Sequence, residues 1–447
     1  MGIGSSPKVG KTSQTCLQEF TIHFRRAEDR VYDGRYGFDW YRPEFFKKMT
    51  YYQPLTSSEK RIEVALVTGD IDTLKSTYTH GQKTKILPYG KEYIPAWLAI
   101  YSTEWLNVHR SGQGENYSVA LDLELNLIED KDEGELNPID KNKEFELKNN
   151  GTILKFEASN PNIVIDPSEM NINRFLSTFG NNKKLSNQEN DQKYLVSNAV
   201  NIVCKSALEN HEEILVYAEK NGCKEVVGQL MLYHNAVIPT LKLIFVDVIT
   251  NEEKTIRSYD YEDFLQNRSF NQALINVEII NAPAFDFRKY RKNDVDVNIS
   301  LNKLNINDTS YFLSDLSKFY KQYQDKNLAI KNYVFVTNVS KKEGVGSGGE
   351  SVVLLKCPEN IFNQVVVHEL GHRFGLIHLF DSQKINPQGK SFQFLRGLTG
   401  NFLDYDHIKI DEKEKNSKTK SRAIPNPTFS LSYFFKYQWD LLRKRVK

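Results

Sequence analysis

Three histidines and a glutamate stand in one short stretch, HELGHRFGLIH at 368–378. His368, Glu369, His372, Gly375 and His378 occupy the spacing H-E-x-x-H-x-x-G-x-x-H. In a chain of 447 residues with nine His and 24 Gly, those five positions would coincide by accident with odds of roughly one in 10⁵. Imidazoles four residues apart share one face of a helix, one turn from each other, so a single ion can be reached by both. The spacing suits Zn²⁺ at about 2.0–2.1 Å from each nitrogen. Gly375 can adopt a left-handed backbone and end the helix, which returns His378 as a third ligand. Three neutral imidazoles leave a fourth position for water, the arrangement of a catalytic rather than a structural site. Glu369, beside His368, is a carboxylate of the type that can accept a proton from such a water. A buried helix with incidental histidines is the alternative, but this set on an apolar helix has no packing reason.

The motif resembles the long zinc-binding consensus of the metzincin peptidases. That resemblance implies a zincin fold, a zinc-dependent endopeptidase acting on polypeptides with Glu369 as general base on the zinc-bound water, and a downstream turn that places a methionine beneath the metal. Here the methionines are Met1, Met49, Met170 and Met231, all before the motif. The segment TGNFLDYD, Thr399 to Asp406, nevertheless is similar to such a turn, with Leu403 in the methionine's place. Leucine matches methionine in volume and polarity, an exchange that usually costs under about 1.5 kcal/mol. Tyr405 falls where several metzincins carry a tyrosine near the metal, and its phenol could donate to a developing oxyanion. Asp381, three residues past His378, is expected either to orient a ligand histidine or to face solvent.

The elements that must position these residues follow from periodicity. Pro358 and Asn360 mark a helix start, and the run from Ile361 to His372 has no breaker before Gly375. Upstream, YEDFLQNRSFNQAL predicts a helix, INVEII a strand, YFLSDLSKFYKQY a helix and NYVFVTN a strand. GVGSGG at 344–349 leads into SVVLLK, which reads as an edge strand beside the cleft, and the resemblance to metzincins implies that such a strand pairs with extended substrate. GVGSGG lacks the Lys-Ser/Thr ending of a phosphate loop. SLSYFFKYQWDLLRKRV predicts a terminal helix with a basic last turn. KIDEKEKNSKTKSRAIPNP before it reads as a long mobile loop.

The first half is a different kind of chain. FTIHFR, IEVALVTG, PAWLAIYS, YSVALDLEL, LVSNAVNIVC, ILVYA, EVVGQLMLY and LKLIFVDVI read as short strands at sandwich-like intervals. The expected organisation is a flexible N-terminus at 1–15, β-sandwich-like domains at 16–140 and 141–254, and an α+β metzincin-like catalytic domain at 255–447. Polar stretches at 128–143 and 181–193 interrupt the strands, and the first is the preferred boundary. YDGRYGFDWYRPEF, Tyr32 to Phe45, together with YGKEYIPAWLAIY, resembles N-terminal β-domains of bacterial polymorphic toxins and injection-system effectors. That resemblance implies delivery by a contractile injection or other secretion apparatus.

A net charge of +2 makes no demand for a nucleic-acid partner. No apolar run approaches the ~20 residues that span a bilayer. MGIGSSPKVGKTSQTC has no signal-peptide core, so synthesis in the cytoplasm and export by a dedicated machine is the expectation. Cys16, Cys204, Cys223 and Cys357 lack C-x-x-C spacing, and free thiols are the simplest reading. His407, near the Leu403 turn, is a weaker candidate for the cleft. The competing functions are a zinc endopeptidase, a zinc hydrolase of cell-wall peptides, and a non-enzymatic interaction or cargo protein. The complete set of three His and Glu369 favours an enzyme, since a binding module needs no base.

Overall fold

The computed structural model describes residues 17–27, 32–42, 48–54, 59–65, 67–110, 113–128, 146–177, 193–305, 310–324, 332–339, 345–348, 351–384, 389–397, 399–405, 407–408, 424–425 and 431–446. The expected flexible N-terminus and nearly all of the two polar stretches and the charged 409–427 segment lie outside them.

Alternating apolar residues build the larger of two sheets. In Phe20–Arg25 every second residue is buried, starting at Phe20, as a strand with one face on a core requires. The ten strands run in the order Glu169–Asn171, Ile153–Ala158, Glu212–Lys220, Cys223–Leu232, Phe20–Arg25, Val119–Leu127, Lys193–Cys204 and Ile163–Asp166, with Ala96–Ala99 on Cys223–Leu232 and Gly37–Asp39 on Ala96–Ala99. The two outermost strands of the main path are separated in the chain only by Pro167 and Ser168. The sheet therefore curls back on itself and is nearly closed, like a barrel. Phe20, Ile22, Phe24, Leu121, Leu123, Leu125, Ile202 and Val216 fill its inside. Where Phe20–Arg25 crosses Cys223–Leu232, a Cβ on Gly228 would sit 2.4 Å from the Ile22 carbonyl oxygen, so only glycine allows that approach.

The pair of sandwich-like domains is thus corrected to one curled sheet. It draws strands from both sides of residue 140. Alternation records that one face of each strand is buried, and a sandwich and a barrel demand the same alternation.

The second sheet is mostly parallel, in the order Asn276–Asn281, Thr240–Ile249, Tyr333–Thr337, Ser351–Leu354, with Val345–Gly348 antiparallel at the edge. The expectation of Ser351–Leu354 as the edge strand is corrected: the glycine-rich segment before it folds back and pairs along its outer side. The sheet's inner strands Tyr333–Thr337 and Ser351–Leu354 are buried on both faces, as strands covered by helices on both sides must be. Leu241, Leu243 and Phe245 share a core with Val366, Val367 and Leu370 of the motif helix. Ile244, Val246 and Val248 face the other way, onto Val297, Leu301, Leu316 and Phe319 of helices Val295–Asn305 and Ser310–Tyr323. Thr240–Ile249, placed by the 254/255 division with the first half, is an interior strand here.

The two sheets are also joined. Trp97, Tyr101, Met231 and Tyr233 belong to the same buried cluster as Phe270, Phe374 and Trp439. The terminal helix Lys436–Arg445 holds the seam: Arg443 donates to the carbonyls of Ala273 and Leu274 at 3.2 and 3.0 Å, and the Lys436 amide donates to buried Asp39 at 2.7 Å. Among the described residues no helix is long and apolar enough to cross a membrane.

Candidate metal centre

The motif forms the helix Phe362–Arg373, entered through a 3-10 turn, Glu359–Ile361, that follows Pro358. Phe362, Val366, Val367 and Leu370 are fully buried against the parallel sheet, which fixes the rotation of the helix and turns His368 and His372 away from the sheet. Gly375 takes φ +83; its amide donates to the His372 carbonyl and the Leu376 amide to the Gly371 carbonyl, both at 2.9 Å. This is the glycine-terminated helix end that the spacing predicts, and it brings His378 back to the other two histidines.

His372 Nε2 lies 3.1 Å from His368 Nε2 and 3.0 Å from His378 Nε2. The three side chains form a group able to hold a metal ion, their ligand atoms all within 4.8 Å of one another. The other ring nitrogens decide what this cluster is. His368 Nδ1 is 2.7 Å from the Phe402 carbonyl oxygen, His372 Nδ1 is 2.9 Å from the Leu376 carbonyl oxygen, and His378 Nδ1 is 3.3 Å from a carboxylate oxygen of Asp381. Carbonyls and carboxylates only accept, so each Nδ1 carries the proton and each Nε2 presents a lone pair. Three lone pairs aimed at one another repel and cannot hydrogen-bond, whereas a cation among them satisfies all three. The two separations from His372 Nε2 are close to the ~3.3 Å edge of a tetrahedron with 2.0–2.1 Å bonds. Burial, and then the charge of His372, lowers the His368 pKa to about 4, and burial lowers that of His378. At neutral pH both are in the neutral, ligating form. The donor set fits a divalent transition metal.

Glu369, the next residue along the helix, is half-buried and lies close enough to Tyr405 for its charge to act on that phenol. Burial raises the Glu369 pKa to about 7. Tyr405 sits with its hydroxyl 3.1 Å from His378 Nε2, so the chain brings it to the centre. Leu403 is fully buried under the helix: a Cβ on Gly371 would come 3.0 Å from Leu403 Cδ2. The turn is held by Asp404, which accepts from the amides of Gly397, Thr399 and Tyr405 at 2.6, 2.9 and 2.9 Å. The His407 side chain lies outside the described residues.

Sequence reasoning missed the Phe402 carbonyl, since every residue offers one, and two side chains at the rim. Phe380 stacks on His378, with centroids 4.7 Å apart, and Arg396 lies over the rings of Tyr405 and Phe380. Nearness of Phe380 to His378 in sequence was a usable signal; Arg396 offered none.

The thiols contribute no ligand here. Cys204 and Cys357 are free and buried, and burial pushes both up to about 11. Cys223 is disulfide-bonded, its partner lying outside the described residues, which corrects the expectation of free thiols throughout. Spacing along the chain does not reveal which distant cysteines meet in space. The chain matches no protein-family model, and a search of curated proteins finds none significantly similar to it.

Proposed function

We propose that this protein is a metzincin-like zinc endopeptidase whose metal is held by His368, His372 and His378. The observation that carries the reading is the convergence of three unprotonated Nε2 atoms, each backed by an oxygen on its own Nδ1. Zinc, when bound, supplies Lewis acidity that polarises a carbonyl and makes water more acidic.

The chain's own residues do the rest. Glu369 takes the proton of the attacking water and passes it to the leaving amine. Its pKa of about 7 in the metal-free chain comes from burial alone, and a cation nearby favours the ionised, basic form. The Tyr405 hydroxyl donates to the carbonyl oxygen as that oxygen becomes negative. Val345–Gly348, antiparallel at the edge of the sheet and beside the motif helix, offers its outer edge to an extended polypeptide. Export fits the disulfide at Cys223, since such bonds persist in oxidising surroundings. The resemblance of residues 32–45 to injected toxins supports delivery by a secretion or injection apparatus.

Elemental analysis combined with profiling on a peptide library tests the reading. One zinc per chain, and internal cleavage that stops on chelation and returns with zinc, is expected. Zinc at that stoichiometry with no cleavage of any peptide would move the chain to the non-enzymatic reading, and cleavage confined to cell-wall peptides would change its substrate.

A further inference from the structure

Arg396 closes the outer side of the histidine centre. It follows the strand Ser391–Phe394, which is anchored on both sides by Gln383–Lys384 and Val67–Gly69. Buried Asp404 then accepts from the amides of both the next residue, Gly397, and Tyr405. The guanidinium is thereby held with its carbon 4.1 Å from the centroid of Tyr405 and 5.0 Å from that of Phe380. Both rings border the metal centre: the Tyr405 hydroxyl reaches His378 Nε2 at 3.1 Å, and Phe380 stacks on the His378 ring.

What Arg396 lacks is as telling as what it touches. Its Nε is buried without a hydrogen-bond partner, and among the described residues no carboxylate pairs with it. The nearby candidate, Asp381, is engaged by His378 Nδ1 at 3.3 Å. A strut for Tyr405 needs no fixed charge, and leaving a buried donor unpaired is costly. Among the described residues the N–H groups of Arg396 have no carboxylate partner, and a guanidinium's planar fork matches a carboxylate with two parallel hydrogen bonds.

We propose, building on the peptidase reading above, that Arg396 is a specificity residue that binds a carboxylate of the substrate beside the scissile bond. The carboxylate belongs to an Asp or Glu side chain or to the end of the peptide, and the two share one recognition chemistry.

The test uses the full zinc-loaded chain with Glu369→Gln, so that binding is read without turnover. Labelled peptides carry Asp scanned through successive positions with an amidated end, the same peptides carry Asn, and a third set is neutral with a free C-terminus. Fluorescence anisotropy should show one carboxylate placement binding at least about tenfold tighter than its amide counterpart. Adding Arg396→Gln should erase that difference at unchanged zinc content and melting temperature. Arg396→Lys, which keeps the charge but not the fork, should lose most of it, and it carries the comparison if the glutamine variant fails to fold. With Glu369 intact, the preference should appear in KM more than in kcat.

A carboxylate preference that survives in both Arg396 variants, or equal weakening of acidic and neutral peptides, overturns the proposal. Cleavage without any acidic preference sinks this assignment and leaves the peptidase standing. Arg396-dependent binding of acidic peptides that are never cut does the reverse.

Discussion

The imidazole of His368 donates its Nδ1 proton to the carbonyl oxygen of Phe402 at 2.7 Å. A backbone atom of the turn beneath the helix thus decides which nitrogen remains to bind metal, and the turn is part of the site although it supplies no ligand to the ion. His372 and His378 are set the same way, by the Leu376 carbonyl and by Asp381. Of the three supports only Asp381 is a side chain, so only it can be removed by substitution.

Asp381→Ala should therefore weaken zinc binding by about 10–100-fold, the usual effect of losing an oxygen that orients a ligand imidazole. Competition with a chelator of known affinity measures it. Unchanged affinity would make Asp381, whose side chain is about half exposed, an ordinary surface charge.

Glu369→Gln should keep zinc and fold yet lose about 10²–10⁴ in rate, because an amide cannot accept the proton. Tyr405→Phe, at the same zinc content, should lower kcat with little change in KM, since the phenol acts only as charge develops. Wild-type turnover in the glutamine variant would require another base.

The site was legible to the extent that it is local. Eleven consecutive residues, 368–378, carry His368, Glu369, His372, Gly375 and His378, and the helix end at Arg373 with the turn at Gly375 brings the three histidines together. Leu403 and Tyr405 were legible through the turn they share. Arg396 was not, because its relation to His378 depends on the pairing of Ser391–Phe394 with Val67–Gly69, more than three hundred residues earlier. The same limit governs the fold. Strands such as Val119–Leu127 and Thr240–Ile249 were visible from their own composition. Which sheet each joins depends on partners that periodicity does not name.

Leu403→Met should be tolerated, the volume being nearly conserved. Leu403→Ala should cost about 2–5 kcal/mol, because a fully buried side chain packed on Gly371 leaves a cavity under the helix. Denaturant titration reads the loss, and zinc affinity should fall with it as the Phe402 carbonyl shifts. Equal stability of the alanine variant would show that the helix does not rest on this turn.

Acid should loosen the seam between the sheets through His211. Its ring packs against Trp97 and Tyr233, and its Nδ1 accepts from the His234 amide at 3.1 Å. Burial, then the charges of His234 and Lys436, lower its pKa to about 4, against about 6.5 in the unfolded chain. The unfolded state therefore binds the extra proton first, so the contribution is complete above about pH 6.5 and is lost as pH falls towards 4. His211→Gln should show a flatter dependence of melting temperature on pH across that window. Parallel curves would assign the acid sensitivity to other groups.

The division of the chain into a carrier half and a catalytic half makes a sharper prediction, and the structure turns it against the simple version. Residues 255–447 hold every proposed ligand and the base, which by itself would favour an active fragment. Yet a cut at 254 removes Thr240–Ile249, which pairs with Asn276–Asn281 on one side and Tyr333–Thr337 on the other. It also removes Val67–Gly69, the strand on which Ser391–Phe394 is laid, and strips Trp97, Tyr101 and Tyr233 from the core around Phe270 and Trp439. The 255–447 fragment should therefore be insoluble or without a cooperative thermal transition. A fragment from 239 onward should regain the parallel sheet but lose turnover, because the wall carrying Arg396 loses its support. Zinc content, melting and peptide cleavage of both fragments beside the full chain decide the matter. Full activity in the shorter one would mean that the first half contributes nothing to the cleft and serves delivery alone.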